Sequence, residues 1–199
     1  MKSSILLIAA ALCFTSCNKM ADAIAERANP QTPVNEFVKY TIRNGQHYCD
    51  QNAYHTLETS ELKFVAKFDS SAIYQTALTD NQYDINKLFG FSDNNKDHHQ
   101  YSARFGWRWS DGALRLFAYV YNEGVRSEHE MTTVGIGEEV RCSIRVSPQA
   151  YIFQANETIH EMPRLSTTEK GKGYQLYPYF GGDETAPHDI SIWIRLEKK

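Results

Sequence analysis

An Asp-Gly pair in the middle of the chain, Asp111-Gly112, stands between two stretches in which apolar and polar residues alternate. Asp-Gly readily supplies the two positive-φ positions of a type I′ turn, so this pattern is a strong short-range signal for a β-hairpin. With these two residues as the turn, Ser110 pairs with Ala113, and the pairing runs outward to Ser102 opposite Tyr121. The turn therefore sets the register of the whole hairpin.

This register gives the hairpin two faces of different chemistry, because cross-strand partners share a side of the sheet. One face is apolar, and we expect it to lie in the protein core. Its pairs are Trp109 with Leu114, Trp107 with Leu116, and Phe105 with Ala118.

The other face of the hairpin carries guanidinium groups and aromatic rings. Its candidate binding residues are Arg104, Arg108, Arg115, Tyr119 and Tyr121. Arg108 opposite Arg115 is a like-charge pair, which destabilises a sheet unless carboxylates or a ligand neutralise it. Such a face can bind a glycan, since sugar rings stack on aromatic rings and sugar hydroxyls or carboxylates accept hydrogen bonds from arginine. The alternative is a solvated face whose arginines pair with Glu or Asp of the neighbouring strand.

Strand patterns dominate the chain from residue 36 onward, and the periodicity of amphipathic helices is missing there. Apolar residues alternate with mostly polar ones over residues 61–68. Further strand candidates lie at residues 141–146, 151–155, 174–180 and 189–196, with glycine-containing turns among them. Residues 36–199 are therefore predicted to form an all-β domain, an antiparallel β-sandwich or jelly roll.

Composition supports a folded domain and excludes one class of partner. Hydrophobic residues make up 42% of the 199 residues, and 12 Tyr and 10 Phe supply large side chains for a core. The formal net charge of −3 gives no long-range attraction for a polyanion. Nucleic acid is therefore not an expected partner.

The N-terminus has the pattern of a secretion signal that ends in a cysteine. Lys2 gives a positive start, residues 5–12 form an apolar run, and Phe14-Thr15-Ser16-Cys17 resembles the lipobox of bacterial lipoproteins. The apolar run is much shorter than the roughly 20 residues that a membrane-spanning helix needs. The alternative is an ordinary secreted protein that is cleaved near this point.

The lipobox pattern predicts how the chain is organised and where it is located. We expect residues 1–16 to be a lipoprotein signal peptide and residues 17–35 to be a flexible tether that begins at an acylated Cys17. The membrane partner is then contacted through the lipid anchor in the cell envelope. Asn18 stands where inner-membrane lipoproteins carry aspartate, which resembles sorting to the outer membrane of a Gram-negative bacterium.

Two further cysteines, Cys49 and Cys142, would lie in a compartment that permits oxidation. A disulfide between them would close a long loop and contribute roughly 4 kcal/mol in the chain-entropy model. The alternative is two buried thiols in separate strands, since nothing in the sequence brings their Cα atoms together.

The stretch before the hairpin is rich in residues that could bind a metal ion. Asp93, Asn95 and Asp97 occupy alternate positions, as at the start of a calcium-binding loop, but the glycine and the closing glutamate of that loop are absent. Asp and Asn also form turns without a metal. His98 and His99 could bind zinc, but adjacent side chains on an extended strand point to opposite sides. The sequence therefore identifies no cofactor, with Ca²⁺ at the three oxygen-bearing residues as a weak alternative.

No catalytic motif is present in the sequence. Glu128-His129-Glu130 brings carboxylates and an imidazole together, but the two-carboxylate strand motif of laminarinase-like glycosidases is missing. The motifs of alginate-lyase-like enzymes, of serine hydrolases and of phosphate-binding loops are missing too. Enzymatic activity is therefore neither indicated nor excluded.

Several blocks of the sequence together resemble uncharacterised lipoproteins of Bacteroidota-type bacteria that have a concanavalin A-like jelly-roll domain. These blocks are residues 86–93, 98–99, 102–109 and 176–190. The resemblance implies the jelly-roll fold, and it supplies no catalytic residues.

Three functions follow as hypotheses. The first is a membrane-anchored module that binds carbohydrate through the arginine and tyrosine face of the hairpin. The second is a polysaccharide lyase or hydrolase that uses the same face, with His98, His99 or Tyr119 near the bond that is cleaved. The third is a structural or adaptor lipoprotein that binds a protein partner.

Overall fold

The computed structural model describes residues 36–197. The expected signal peptide, Cys17 and the tether lie outside the described residues, which contain β-strands and two 3-10 helices, at Ser70–Ala72 and Thr79–Tyr83. The strands are β1 Val38–Ile42, β2 Thr56–Thr59, β3 Glu61–Phe68, β4 Asn86–Ser92, β5 Ser102–Ser110, β6 Ala113–Asn122, β7 Val125–Val134, β8 Glu139–Val146, β9 Ala150–Ala155, β10 Thr158–Pro163, β11 Gly171–Leu176 and β12 Ile190–Leu196.

The strands form two six-stranded antiparallel sheets, which confirms the all-β sandwich. The first sheet has the order β1-β12-β3-β8-β9-β10, and the second has the order β2-β11-β4-β5-β6-β7. Both sheets contain long crossovers between strands that are distant in the chain, as jelly rolls do. No helix in residues 36–197 is both long and apolar enough to cross a bilayer.

The hairpin at Asp111-Gly112 has the predicted register at every pair from Ser102 with Tyr121 to Ser110 with Ala113. Both turn residues have positive φ, +53° at Asp111 and +71° at Gly112. The apolar face lies in the core, where Trp107 is fully buried and packs against Phe68 and Tyr74. Trp109 is partly buried against the same core.

The strand predicted at residues 174–180 differs from the structure. Strand β11 begins three residues earlier and ends at Leu176. Pro178 has no N–H to donate and cannot continue the strand hydrogen bonds. The chain instead leaves the sheet there, and Tyr179 forms isolated bridges with Tyr48 and Lys87. This departure brings a tyrosine-rich segment over the outer face of the second sheet.

Cys49 and Cys142 are not bridged. Both are free, buried thiols, one beside β1 and the other in β8. Burial raises the pKa of both thiols, to about 12 for Cys49. Of the two alternatives for these cysteines, the structure therefore has the two buried thiols and not the disulfide.

Candidate functional site

An open cleft of about 570 Å³ lies on the outer face of the second sheet. Three of the predicted binding residues line it: Arg104, Tyr119 and Tyr121. Other side chains come from distant parts of the chain, namely Tyr48, Tyr54, Lys87, His98, Tyr174 and Tyr179. The lining is therefore aromatic and cationic.

Arg104 lies in the middle of this face. Across the sheet it stands between Gly90 of β4 and Tyr119 of β6. A Cβ atom at position 90 would collide with the Cβ of Arg104 and with the backbone oxygen of Ala103. Only glycine fits there, so β4 and β5 approach closely at the position that carries the arginine.

The guanidinium of Arg104 is buried without a compensating carboxylate. The residue is 6% exposed, and its Nε has no hydrogen-bond partner. Burial lowers the pKa of Arg104, and the groups that act against this shift are the tyrosines 119, 121 and 174, without an Asp or Glu among them. Its carbon Cζ lies 5.3 Å from the centre of the Tyr119 ring. Buried charges in proteins are usually paired with an opposite charge, so an arginine without a carboxylate partner at the floor of a cleft indicates a site for an anion.

Lys87 is a second cation of the cleft without a carboxylate partner among the described residues. Its Nζ donates a hydrogen bond to the backbone oxygen of Ile85 at 2.6 Å and lies 5.1 Å from the centre of the Tyr119 ring. Burial, together with the nearby charge of Arg104, lowers the pKa of Lys87 to about 8. Arg126 also lines the cleft, but it pairs with Glu128 at 3.2 Å.

Aromatic rings surround these cations. Tyr48 and Tyr54 are 64% and 70% exposed and lie at the mouth of the cleft. Tyr48 packs edge-on against Tyr179, with ring centres 4.9 Å apart, and Tyr54 packs at a tilt against Tyr174, with ring centres 5.3 Å apart. Exposed rings held in place by other rings are suited to stacking on the faces of sugars.

Tyr119 is buried deeper in the cleft. Burial and a hydrogen bond with Tyr121 raise the pKa of Tyr119 to about 12. Its hydroxyl therefore stays protonated at neutral pH.

Arg108 and Arg115 lie outside the cleft, although the sequence predicts them on the same binding face as Arg104. Arg108 donates to the backbone oxygen of Tyr83 at 2.8 Å and lies over the ring of Phe117. Arg115 forms an ion pair with Glu130 of the neighbouring strand at 2.7 Å. The alternative interpretation of this face therefore holds for Arg115, which a carboxylate of the neighbouring strand neutralises, whereas Arg108 is held by a backbone oxygen and aromatic rings.

The calcium interpretation of Asp93, Asn95 and Asp97 is wrong for Asp93. Its carboxylate is fully buried and already holds a cation, the guanidinium of Arg164, at 2.9 Å. It also accepts hydrogen bonds from Tyr151 Oη at 2.6 Å and from the backbone N–H of Lys172 at 2.9 Å. These partners occupy both oxygens, so Asp93 cannot share a calcium ion with Asp97.

His98 and His99 lie on a turn and not on an extended strand. Their rings therefore lie side by side, with centres 4.2 Å apart, instead of pointing to opposite sides. His98 Nδ1 lies 2.8 Å from Tyr174 Oη. Burial and the charges of Arg104 and His99 lower the pKa of His98 to about 4, so this ring is neutral at pH 7.

No protein-family model matches the chain, and a search of curated proteins finds no match. Solved structures are similar to it in fold. Alginate lyase AlyC3 aligns with a TM-score of 0.55 at 9% identity, over 82% of this chain and 75% of that one. The same lyase in complex with dimannuronate gives 0.52 at 10% identity, over 82% and 74%. A Bacteroides ovatus mixed-linkage glucan GH16 protein with an oligosaccharide product gives 0.51 at 8% identity, over 83% of both chains. This likeness shows the fold.

Sequence reasoning missed several residues of the cleft. Lys87, Tyr174 and Tyr179 follow no alternation that links them to the hairpin, and Tyr48 and Tyr54 lie in a segment without strand signals. For the four tyrosines among them, the one shared signal is the number of tyrosines in the chain, 12 in all. That count indicates an aromatic surface but does not locate it.

Proposed function

We propose that this protein binds an acidic oligosaccharide in the cleft, with a sugar carboxylate on Arg104 and sugar rings on the tyrosines of the mouth. The observation that carries the proposal is the buried guanidinium of Arg104, whose Nε is unpaired and which has no carboxylate partner in residues 36–197. A ligand carboxylate would compensate a charge that the protein leaves uncompensated.

The shape and lining of the cleft support a saccharide over a small inorganic anion. Its volume of about 570 Å³ accommodates more than one sugar ring, and Tyr48 and Tyr54 lie exposed at its mouth. Two solved proteins with this fold hold saccharides, dimannuronate in one and a glucan product in the other. Lys87, with its Nζ near the Tyr119 ring, adds a second positive charge for an acidic ligand.

A lyase is the second candidate function, and one observation favours it over a hydrolase. The described residues that line the cleft include no Asp or Glu, so a two-carboxylate hydrolysis has no residues to perform it. Elimination from a uronate needs a group that neutralises the carboxylate and a base that takes the C5 proton, while the C4 oxygen leaves with its bonding electrons and is protonated by water in the open cleft. Arg104 supplies the first, and neutral His98 is available as the second.

The proposal is tested by comparing Arg104→Gln with Arg108→Gln, since both arginines come from the same strand and only Arg104 lines the cleft. Calorimetric titrations use an oligouronate and a neutral oligosaccharide of equal length. We expect Arg104→Gln to weaken oligouronate binding by about 1.5–3 kcal/mol, the usual contribution of a hydrogen bond to a charged group. Arg108→Gln should change the affinity by less than about 0.5 kcal/mol.

Two results would contradict acidic-glycan binding. One is an absence of measurable binding to any member of an oligouronate panel, and the other is an equal loss in both variants. Melting curves of each variant separate lost affinity from lost folding. Ultraviolet absorbance of a new C4–C5 double bond in the same oligouronate samples distinguishes a lyase from a binding protein.

A further inference from the structure

We propose that Asp97, His98 and His99 form a binding site for a divalent transition-metal ion, with Zn²⁺ as the best fit, at the rim of the cleft. The three residues are consecutive and lie in the turn that precedes β5. Two imidazoles and one carboxylate are a common set of protein ligands for zinc. This site is separate from the saccharide contacts of Arg104, and an ion bound to His98 would take that ring out of use as the base of a lyase.

The ligand atoms already lie close to a common point. Asp97 Oδ2 is 3.8 Å from His98 Nδ1, and Asp97 Oδ1 is 3.6 Å from His99 Nδ1. One ligand atom from each residue lies within 4.8 Å of the others. Tetrahedral zinc with bonds of about 2.0–2.1 Å places neighbouring ligand atoms about 3.3 Å apart. Small side-chain rotations would therefore close the site.

The backbone holds this turn in place without a metal. The N–H groups of Gln100 and Tyr101 donate to the backbone oxygen of Asp97 at 2.9 and 3.0 Å. The N–H of His99 donates to Asp97 Oδ1 at 2.8 Å, and the N–H of His98 donates to Tyr174 Oη at 3.1 Å. An ordered turn lowers the entropy that metal binding must offset.

The charges near the turn act in both directions. The guanidinium of Arg104 acts electrostatically on His98 and opposes a cation here, and the carboxylate of Asp97 offsets it.

Tyr174 would orient the ligand side chains when the metal ion is bound. Its hydroxyl lies 2.8 Å from His98 Nδ1 and 3.5 Å from Asp97 Oδ2. When His98 binds the ion through Nδ1, this hydroxyl can donate to Asp97 instead. Three protein ligands leave the fourth position of a tetrahedral ion open, and His98 and His99 both line the cleft. The open position would therefore be accessible to a sugar oxygen.

The test is a titration of the chelator-treated full chain with Zn²⁺ alone, followed by calorimetry and by competition with a chromophoric chelator. We expect one ion per chain, and a loss of affinity of more than about tenfold in His99→Ala and in Asp97→Asn. His99 is 67% exposed, so its removal should leave the melting temperature unchanged in the absence of metal. The control is His129→Ala, which alters the stacked His129–His160 pair elsewhere in the molecule.

The proposal is supported when both site variants lose the ion and His129→Ala retains it. It is overturned when the wild-type chain binds no Zn²⁺, or when His99→Ala binds it as tightly as the wild type does. Co²⁺ substitution adds a spectroscopic readout, because four-coordinate Co²⁺ absorbs visible light strongly. A purely structural role for the turn would not move this absorbance.

Discussion

Lys87 shows how burial can set the pH range over which a cleft binds an anionic ligand. An exposed lysine stays protonated until the pH approaches its pKa, which is near 10.4. Lys87 sits beside Arg104 in a largely buried position, and both effects bring its pKa down to about 8. Within about one pH unit of neutrality, this side chain can therefore change its charge, while the neighbouring Tyr119, whose pKa is raised to about 12, stays neutral.

The affinity for an acidic oligosaccharide should therefore fall as the pH rises past 8. The protonated amine attracts the ligand, so the attraction is present below the pKa and is lost above it, with the midpoint displaced upward when the anion is bound. Calorimetric affinities on both sides of pH 8 measure this step, and Lys87→Met should remove it. Lys172→Met, whose amine pairs with Glu58 outside the cleft, should retain the wild-type profile. A flat wild-type profile would contradict a role for Lys87 in binding.

At the scale of elements, a buried ion pair attaches the segment between β10 and β11 to the end of β4. Arg164 and Asp93 have side chains that are 1% and 0% exposed, and they meet at 2.9 Å. Arg164 Nη2 also donates to the backbone oxygens of Thr168 and Lys170 at 2.7 and 3.2 Å. One guanidinium thus satisfies the backbone of a segment that forms no strand.

Replacing Arg164 with Met should destabilise the domain by about 3–5 kcal/mol, because the carboxylate of Asp93 stays buried without its partner. Arg195→Met is the matched control, since that arginine forms a partly exposed pair with Glu139 at 3.4 Å. Its loss should cost less than about 1 kcal/mol. Denaturant unfolding measures both variants, and equal costs would show that burial does not distinguish the two pairs.

The elements that could be predicted from the sequence are those whose signal is local. The β5–β6 hairpin has its turn residues and its alternation within one stretch, and its register is confirmed. Strand β7 was missed because it is an edge strand, mostly exposed, and shows no apolar alternation. Strand β7 forms because it pairs with β6. The residues of β7 alone do not indicate this pairing. The cleft was only partly predicted for the same reason, since Lys87 and Tyr174 reach Arg104 through sheet topology.

For the whole molecule, the proposal of a lipid anchor depends on Cys17 alone. Cys17→Ala should move the protein from the membrane fraction to the soluble fraction, because acyl chains contribute about 0.8 kcal/mol per buried methylene to membrane binding. Fractionation of cells that express each form, with detection by antibody, measures the change. Cys13→Ala is the control, since that cysteine lies within the expected signal peptide. Retention of Cys17→Ala in the membrane would contradict the anchor.

The close approach of Gly90 to Arg104 bears on how related sequences can diverge. A side chain at position 90 would collide with the backbone oxygen of Ala103 and with the Cβ of residue 104, so position 90 is restricted to glycine whichever side chain stands at position 104. Tyr48 and Tyr54, exposed at the mouth, face no such restriction. Descendants of one ancestor could therefore exchange their mouth tyrosines and prefer different sugars, while Gly90 would be retained.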